Sequence, residues 1–564
     1  VDAAQALARN PGRLILLERL KTSMFAQFDK EDPASLRRRV ESTTLPESIY
    51  DQLLETVAAH GDKPAWHFID SGEKRNWRDV LNGVDRVAAA LDRLGVGPGA
   101  HVAVMTWNCE EFALTWLALA RQQAVIVPVN ATYTAREIDY ALETSDAMYL
   151  VIEAEFLPRL HEIAAARVDP AHVVIVNGEA PQGSLAWDTF VNAAKGSRPR
   201  EIPRHRDNLM NLQYTSGTTG FSKACMLSHD YWLVLAHTSA QFFGTPLSRF
   251  YVGSSLFYMV GQRILLNAMV SGGCAILPRK SGAKRFMRDV SAHGCDYCAL
   301  FDMVYKQPPS PDDADNILKI ATIFAFSPAH HRDFEQRFDV RGQEFYGMTE
   351  IGGAAYMPAD ALELRSGSGS CGIAAPFREL KVADENGQRV KAGERGELMV
   401  RGRGLFKGYY KREDATAECY LDGWFRTGDI ARQDEDGYLY IVGRLKDMVR
   451  RNGENISARE VESVLRSMPE VQDAAVIAVP DPYHQEEVKA YIQLAPGLTA
   501  EAVPPELIVE FCRPLLAAFK LPRYVEYRDS LPLTDSQRVQ KKVLRSEKAD
   551  LRIGAYDLKE QCWR

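Results

Sequence analysis

From Val102 onward, apolar runs of strand length alternate with amphipathic stretches of helix length. Val102 to Thr106, Ala124 to Val129 and Met148 to Ile152 are short and apolar, while Glu110 to Arg121 and Ala135 to Thr144 have helical spacing. Short apolar strands separated by helices read as βαβ units and predict a parallel sheet. The alternation resumes after Leu209 with a strand at Leu212 to Tyr214, a loop of Gly, Thr and Ser, and a helix from about Asp230. Ligands of such sheets sit at the carboxyl ends of strands, which directs attention to that loop.

Between about Ser368 and Tyr440 the pattern shifts to short strands punctuated by turns, such as Asp384 to Gly387 and Asp434 to Gly437, and predicts a small β subdomain. From Gly443 a charged segment leads into a further helix and strand series ending near Arg545. The predicted fold class is α/β. A large N-terminal domain over residues 1–443 holds two βαβ subdomains and the small β subdomain, 444–446 form the boundary, and 447–564 form a smaller C-terminal α+β domain. The first forty-odd residues, including Arg37, Arg38 and Arg39, predict a helical surface preface without chemistry.

With 564 residues, 46% hydrophobic and 25% charged, the chain can bury several cores and should be folded throughout. A net charge of −7 argues against nucleic acid as a partner. No apolar stretch reaches the ~18 residues of a transmembrane segment, and nine scattered cysteines suit a reducing compartment, so a soluble, cytoplasmic protein is expected. The CxxC pair Cys295 and Cys298 falls in a run to Phe301 that reads as a buried strand, which favours structural thiols over zinc or redox chemistry. Gly367 to Gly372 matches GxGxxG but precedes a strand-like run, which argues against a dinucleotide site.

Three segments carry the chemistry. In Tyr214-Thr-Ser-Gly-Thr-Thr-Gly-Phe-Ser-Lys223, glycines let backbone N–H groups approach a polyphosphate, hydroxyls add donors and a lysine adds a point charge. The spacing is not that of a Walker A loop, and a flexible surface loop is the competing reading. Tyr346-Gly-Met-Thr-Glu350 offers an aromatic face for adenine and a carboxylate for magnesium. Asp422 to Asp429, followed by Gly443 and Arg444, supplies a carboxylate and a guanidinium suited to ribose hydroxyls, or else two β-turns with a surface ion pair.

In this order, and with Gly396-Glu397, Gly408-Tyr409-Tyr410, Gly453 to Ile456 and Glu460, the chain resembles the superfamily of acyl-CoA synthetases, peptide-synthetase adenylation domains and beetle luciferases from about Ile49 to Arg545. The resemblance implies that Thr215, Ser216, Gly217, Thr218, Thr219, Gly220 and Lys223 form the phosphate loop. It further implies that Tyr346 stacks on adenine, Thr349 meets the α-phosphate, Glu350 holds Mg²⁺, and Asp429 and Arg444 hold the ribose. Lys446 would be the hinge of a mobile C-terminal domain, and Gly453 lies in the pantetheine-side loop. The implied activity is an AMP-forming acid–CoA ligase using ATP, Mg²⁺ and coenzyme A on a small carboxylic acid. A carrier-protein ligase, a luciferase-like oxygenase and a non-catalytic nucleotide sensor are the alternatives, and oligomeric state, a homodimer included, is left open.

The chain departs from the family where a run like Pro-x-Thr-x-x-Gly-Lys-Val carries the lysine that bridges substrate carboxylate and α-phosphate. Here Pro532 to Val539 places Gln537 and Arg538 at the glycine and lysine positions. Arginine keeps the charge but is planar and bulkier. A working natural arginine, a laboratory substitution and attenuated adenylation are three readings of it. Ser222 and Ala224 replace the usual proline and glycine, and Asn452 replaces a glycine. Phe257-Tyr258 stands where a Phe-His pair usually lines the acyl pocket. Gln307 to Ser310 and Phe334 to Phe338 carry a faint likeness to the crotonobetaine/carnitine–CoA ligase branch, in which Asp302 would face a cationic acyl group, a capped surface carboxylate being the plainer reading.

Overall fold

The computed structural model describes residues 31–163, 167–215, 223–300, 302–324, 326, 328–451, 454–534 and 538–564. It divides into two compact units. The first takes in the described residues up to Thr215, together with Lys223–Glu379 and Arg401–Glu418, and the second Leu380–Val400 and Cys419–Arg564.

Two sheets build the first unit. In one, strands at Leu185–Ala186, Val173–Val176, Tyr149–Glu153, His101–Met105 and Val125–Pro128 run parallel to β1 (Leu209–Tyr214), and β2 (Ala224–Ser228) closes the edge antiparallel to β1. The predicted alternation is present here, with helices at Glu110–Gln122 and Ala135–Thr144 between the strands. Strands buried on both faces read as continuous apolar runs, which is why their positions could be predicted. Helix α1 (His229–Phe242) follows β2 and is capped by Ser228.

The second sheet of this unit has nine strands. It carries α2 (Met259–Val270), β3 (Ile320–Ile323) and β4 (Arg341–Met348), with β3 and β4 parallel neighbours. Cys295 and Cys298 are buried in its core, and burial pushes both thiols up. The run after Gly372 is a short strand, Ile373–Ala374. Arg37, Arg38 and Arg39 lie on a helix over Pro33–Ser42, started by Asp32; the residues before 31 lie outside those described.

In the second unit, β5 (Trp424–Gln433) pairs antiparallel with Arg395–Gly402 and with β6 (Leu439–Arg444). A seven-stranded sheet follows, centred on Gln485–Leu494 and packed against the helix Ala458–Arg466 around Val461, Leu465, Val476 and Ile492. The series does not end near Arg545: strands at Tyr556–Asp557 and Cys562–Trp563 complete the sheet edge. Each is two residues long, too short for any periodicity. The Tyr556 and Trp563 rings, 5.4 Å apart, and an Arg564–Asp557 ion pair hold them.

His229, at the start of α1, has no exposed surface, and burial lowers its pKa from 6.5 to about 3. Its ring sits between the Ile49 N–H at 3.4 Å and the Gln123 side-chain amide at 3.1 Å. Above pH 6.5 the ring is neutral in both folded and unfolded chains; below it the unfolded chain takes up the proton first, so stability falls with pH. At about pH 5 this term costs about 2 kcal/mol. The denaturant midpoint of the first unit should therefore drop between about pH 6.5 and 5, and His229→Gln should flatten that slope.

Candidate active site

The loop Ser216, Gly217, Thr218, Thr219 and Gly220 lies outside the described residues, as do Ser222, Asn452, Gly453 and Gln537. Its two ends are described. The Thr215 N–H donates to the Lys223 carbonyl at 3.0 Å, so the two flanking residues meet at the carboxyl end of β1. That is the end of a parallel sheet where ligands bind.

Residues 407–410 then line the outer edge of β2. The Lys407 N–H donates to the Met226 carbonyl (2.8 Å), the Met226 N–H to the Gly408 carbonyl (2.9 Å), and the Tyr410 N–H to the Ala224 carbonyl (2.9 Å). Gly408 is required in this segment, since its φ is +113° and an added Cβ would stand 2.8 Å from the Thr416 methyl. The edge pairing delivers Tyr409 beside Lys223, whose Nζ lies 4.6 Å from the centre of the Tyr409 ring. The same tyrosine donates its hydroxyl to Glu350 Oε1 at 2.7 Å. Lys223 and Glu350, predicted from separate segments, are thus brought together through one aromatic side chain. Tyr409 appears in sequence only as part of a matching Gly-Tyr-Tyr, and no local pattern assigns it a role.

Glu350 is 8% exposed. Its backbone carbonyl accepts the Phe406 N–H at 2.8 Å, and Tyr231, whose hydroxyl burial holds protonated, donates to the Thr349 carbonyl at 2.9 Å. Tyr346 stands near the carboxyl end of β4, opposite Ala355 on the neighbouring strand. Glu350 Oε2 has no protein partner among the described residues. A carboxylate with one oxygen anchored and one available fits Mg²⁺, which is usually held by one or two carboxylates plus substrate phosphates and not by an all-protein cage. Among the described residues no cluster of three or more His, Cys, Asp or Glu side chains could form such a cage.

In the second unit Asp429 and Arg444 face each other across β5 and β6, with Arg444 Nε 2.9 Å from Asp429 Oδ1. Glu397 fixes the approach to Asp429: it accepts Arg426 Nη2 at 2.7 Å and the Gly428 N–H at 3.1 Å. Lys446 lies in a single 3₁₀ turn, Leu445–Asp447, between β6 and the strand Met448–Arg451. Just before it, Gly443 has no room for a side chain, because a Cβ would meet Ser457 Oγ at 2.5 Å. Arg538 is exposed; the Thr534 N–H donates to its carbonyl at 2.7 Å and its own N–H to Thr534 Oγ1 at 3.1 Å. Next to it, Val539 packs against Ala475, Ile477 and Leu544. Lys541, out of register with the usual lysine, is committed to Glu462 at 2.6 Å.

Comparison with known proteins identifies the family. The family profile described as AMP-binding enzyme matches residues 53–410, and that of the AMP-binding enzyme C-terminal domain matches 460–538. The chain is 32% identical to YngI of Bacillus subtilis (strain 168), provisionally named an acyl-CoA synthetase, over 89% of this chain and 98% of that protein. It is 29% identical to the crotonobetaine/carnitine–CoA ligase of Salmonella paratyphi A (strain ATCC 9150 / SARB42) over 88% and 98% of the two chains. The ATP-bound structure of MatB from Rhodopseudomonas palustris superposes with a TM-score of 0.78 at 28% identity, covering 89% of this chain and 98% of that one. The chain is therefore a member of the AMP-binding enzyme family, in the superfamily of adenylate-forming enzymes.

Proposed function

We propose that this enzyme is an acid–CoA ligase. One carboxylate oxygen of the acid attacks the α-phosphorus of ATP, forming an acyl-adenylate and releasing pyrophosphate. The sulfur of coenzyme A then attacks the acyl carbon, expelling AMP, with the thiol proton passing to solvent. The observation that carries the reading is the Lys223–Tyr409–Glu350 cluster at the strand ends, where a cation and a carboxylate are pre-set for a polyphosphate. CoA ligases among the relatives support coenzyme A as the acceptor. Among the described residues no helix is long and apolar enough to cross a membrane.

In this reading Lys223 and the backbone of the phosphate loop neutralise the β- and γ-phosphates, and Thr349 orients the α-phosphate. Glu350 would hold Mg²⁺, which supplies charge neutralisation on the phosphate oxygens. Tyr346 stacks on adenine, and Asp429 and Arg444 take the ribose hydroxyls. Arg538 meets the negative charge that develops between the acid and the α-phosphate, Lys446 is the pivot between the two half-reactions, and Gly453 belongs to the pantetheine side.

Glu350→Gln should lower acid-dependent pyrophosphate release by about 10²–10³ with little change in melting temperature. Tyr409→Phe keeps the ring near Lys223 but frees the carboxylate. It should raise the Mg²⁺ concentration needed for half-maximal rate several-fold, with the rate recovering at saturating Mg²⁺. Near-wild-type Mg²⁺ response in both variants would remove the metal role from Glu350.

Lys446→Pro would hold φ near about −65° and restrict rotation at the turn. Adenylate formation should survive while transfer to coenzyme A drops, measured as separate half-reactions; equal loss of both would reject the pivot.

Arg538→Lys should raise single-turnover adenylate formation by about tenfold or more, a barrier change of about 1.4 kcal/mol. An unchanged or lower rate would establish arginine as the working residue.

A further inference from the structure

Arg263 lies in the middle of α2, on the helix that begins directly after Phe257-Tyr258, and is 3% exposed. A guanidinium carries five N–H donors and a fixed positive charge, so burying one requires acceptors and a counter-charge. Arg263 has little of either. Its Nη2 donates to the Tyr297 hydroxyl at 3.3 Å, and its Nη1 is buried with no hydrogen-bond partner. No carboxylate of the described residues pairs with it. One turn further along the same helix, Asn267 is fully buried and both polar atoms of its side chain also lack partners. Residues four apart share a helix face, so the two unmet groups lie on one side of α2.

Two aromatic rings flank the guanidinium. Its Cζ lies 5.2 Å from the centre of the Phe345 ring and 5.9 Å from that of Phe324, and these two rings meet edge to face at 5.4 Å. Phe324 directly follows β3, and Phe345 is near the carboxyl end of β4, immediately before Tyr346. Both rings are only half-buried. Both belong to the carboxyl halves of neighbouring strands, the side of a parallel sheet where ligands bind, and Phe345 is next in sequence to the residue assigned to adenine. An acid whose carboxylate reaches the α-phosphate would extend its chain past these rings.

We propose that Arg263 is a specificity-determining residue that receives a second anionic group at the far end of the acyl substrate, so that the acid activated is a dicarboxylate. The inference rests on the acid–CoA ligase reading and narrows its substrate. An anion of the substrate supplies the counter-charge and the acceptor that the protein lacks, and rejection of an uncharged chain follows because it would leave the guanidinium buried and unmet. A cationic acyl group, such as that of a betaine, is repelled by the same charge.

The test uses matched pairs, succinate against butyrate and adipate against hexanoate, with γ-butyrobetaine as the cationic probe. With the full-length wild-type enzyme, ATP and Mg²⁺, at least one diacid should exceed its monoacid by about tenfold or more in kcat/KM for pyrophosphate release, and the betaine should be the poorest substrate. Arg263→Met should erase or invert that preference without lowering the melting temperature, because it removes an uncompensated buried charge while keeping an apolar stem. Arg263→Lys should retain part of it. Calorimetric titration of the same acids into the ATP-loaded protein reads the inference apart from chemistry. Diacid binding that disappears in Arg263→Met upholds it even if no acid releases pyrophosphate, an outcome that would sink the ligase reading alone. Equal use or equal binding of diacid and monoacid by the wild type overturns it, and so does a preference that survives in Arg263→Met.

Discussion

The guanidinium of Arg378 is sealed inside the first unit among backbone carbonyls. It donates to Ile351 through Nη2 at 2.9 Å and Nε at 3.1 Å, to Gly404 at 3.0 Å, to Phe377 at 3.2 Å and to Arg403. Burial lowers its pKa to about 10, which leaves it charged at neutral pH. The carbonyls of two remote segments would repel one another and lack donors without it, so the charge welds the turn after Glu350 to the segment after Gly402. From that weld the chain runs three residues to Phe406, whose N–H reaches the Glu350 carbonyl, and on to Tyr409, whose hydroxyl reaches the Glu350 carboxylate. Arg403 extends the brace to α1 by gripping Asp230 with Nε at 2.9 and 3.0 Å. The Glu350 carboxylate proposed for magnesium is thus braced by Arg378 indirectly, through the backbone of Ile351 and Gly404 and through Tyr409.

A site set this rigidly suits the chemistry proposed for it. Expelling pyrophosphate concentrates negative charge on phosphate oxygens, and donors fixed beforehand need no reorganisation when it appears. The Tyr409 ring adds a face toward which the Lys223 ammonium is drawn, so the lysine has a defined position at the mouth of its loop. The pair proposed for the ribose is pre-set in a different way: Asp429 and Arg444 neutralise each other across two strands, and Glu397 fixes the turn before them.

What could be read from the sequence follows from the range of the interactions. The βαβ alternation is a local pattern, and its strands appear in the structure within a residue or two of where the apolar runs place them. Cys295 and Cys298 were legible as buried because their run is apolar but for Asp296. Arg378 and Tyr409 were not legible as braces, because each acts on residues twenty-five to sixty positions away along the chain, and neither composition nor spacing encodes such pairings. The terminal strands Tyr556–Asp557 and Cys562–Trp563 escaped for the opposite reason: they are too short to carry a period and exist because a neighbouring strand offers an edge.

Two buried arginines of the first unit, judged by the same rule, lead to opposite conclusions. Arg378 at 1% exposure and Arg263 at 3% bear the same charge and the same desolvation cost. The first is ringed by carbonyls from four residues and is accounted for by architecture alone. The second meets one tyrosine hydroxyl and two aromatic faces, with Nη1 unmet. Cation–π contact offsets only a small part of the cost of burying a guanidinium, and a methionine of similar length would pack against Phe324 and Phe345 without that cost. A buried guanidinium with an unmet donor, beside the strand ends proposed for the acyl chain, is accounted for by the complex proposed above and not by the fold. The same balance sets the sign of the group it receives, since only an anion relieves both the charge and the missing acceptor.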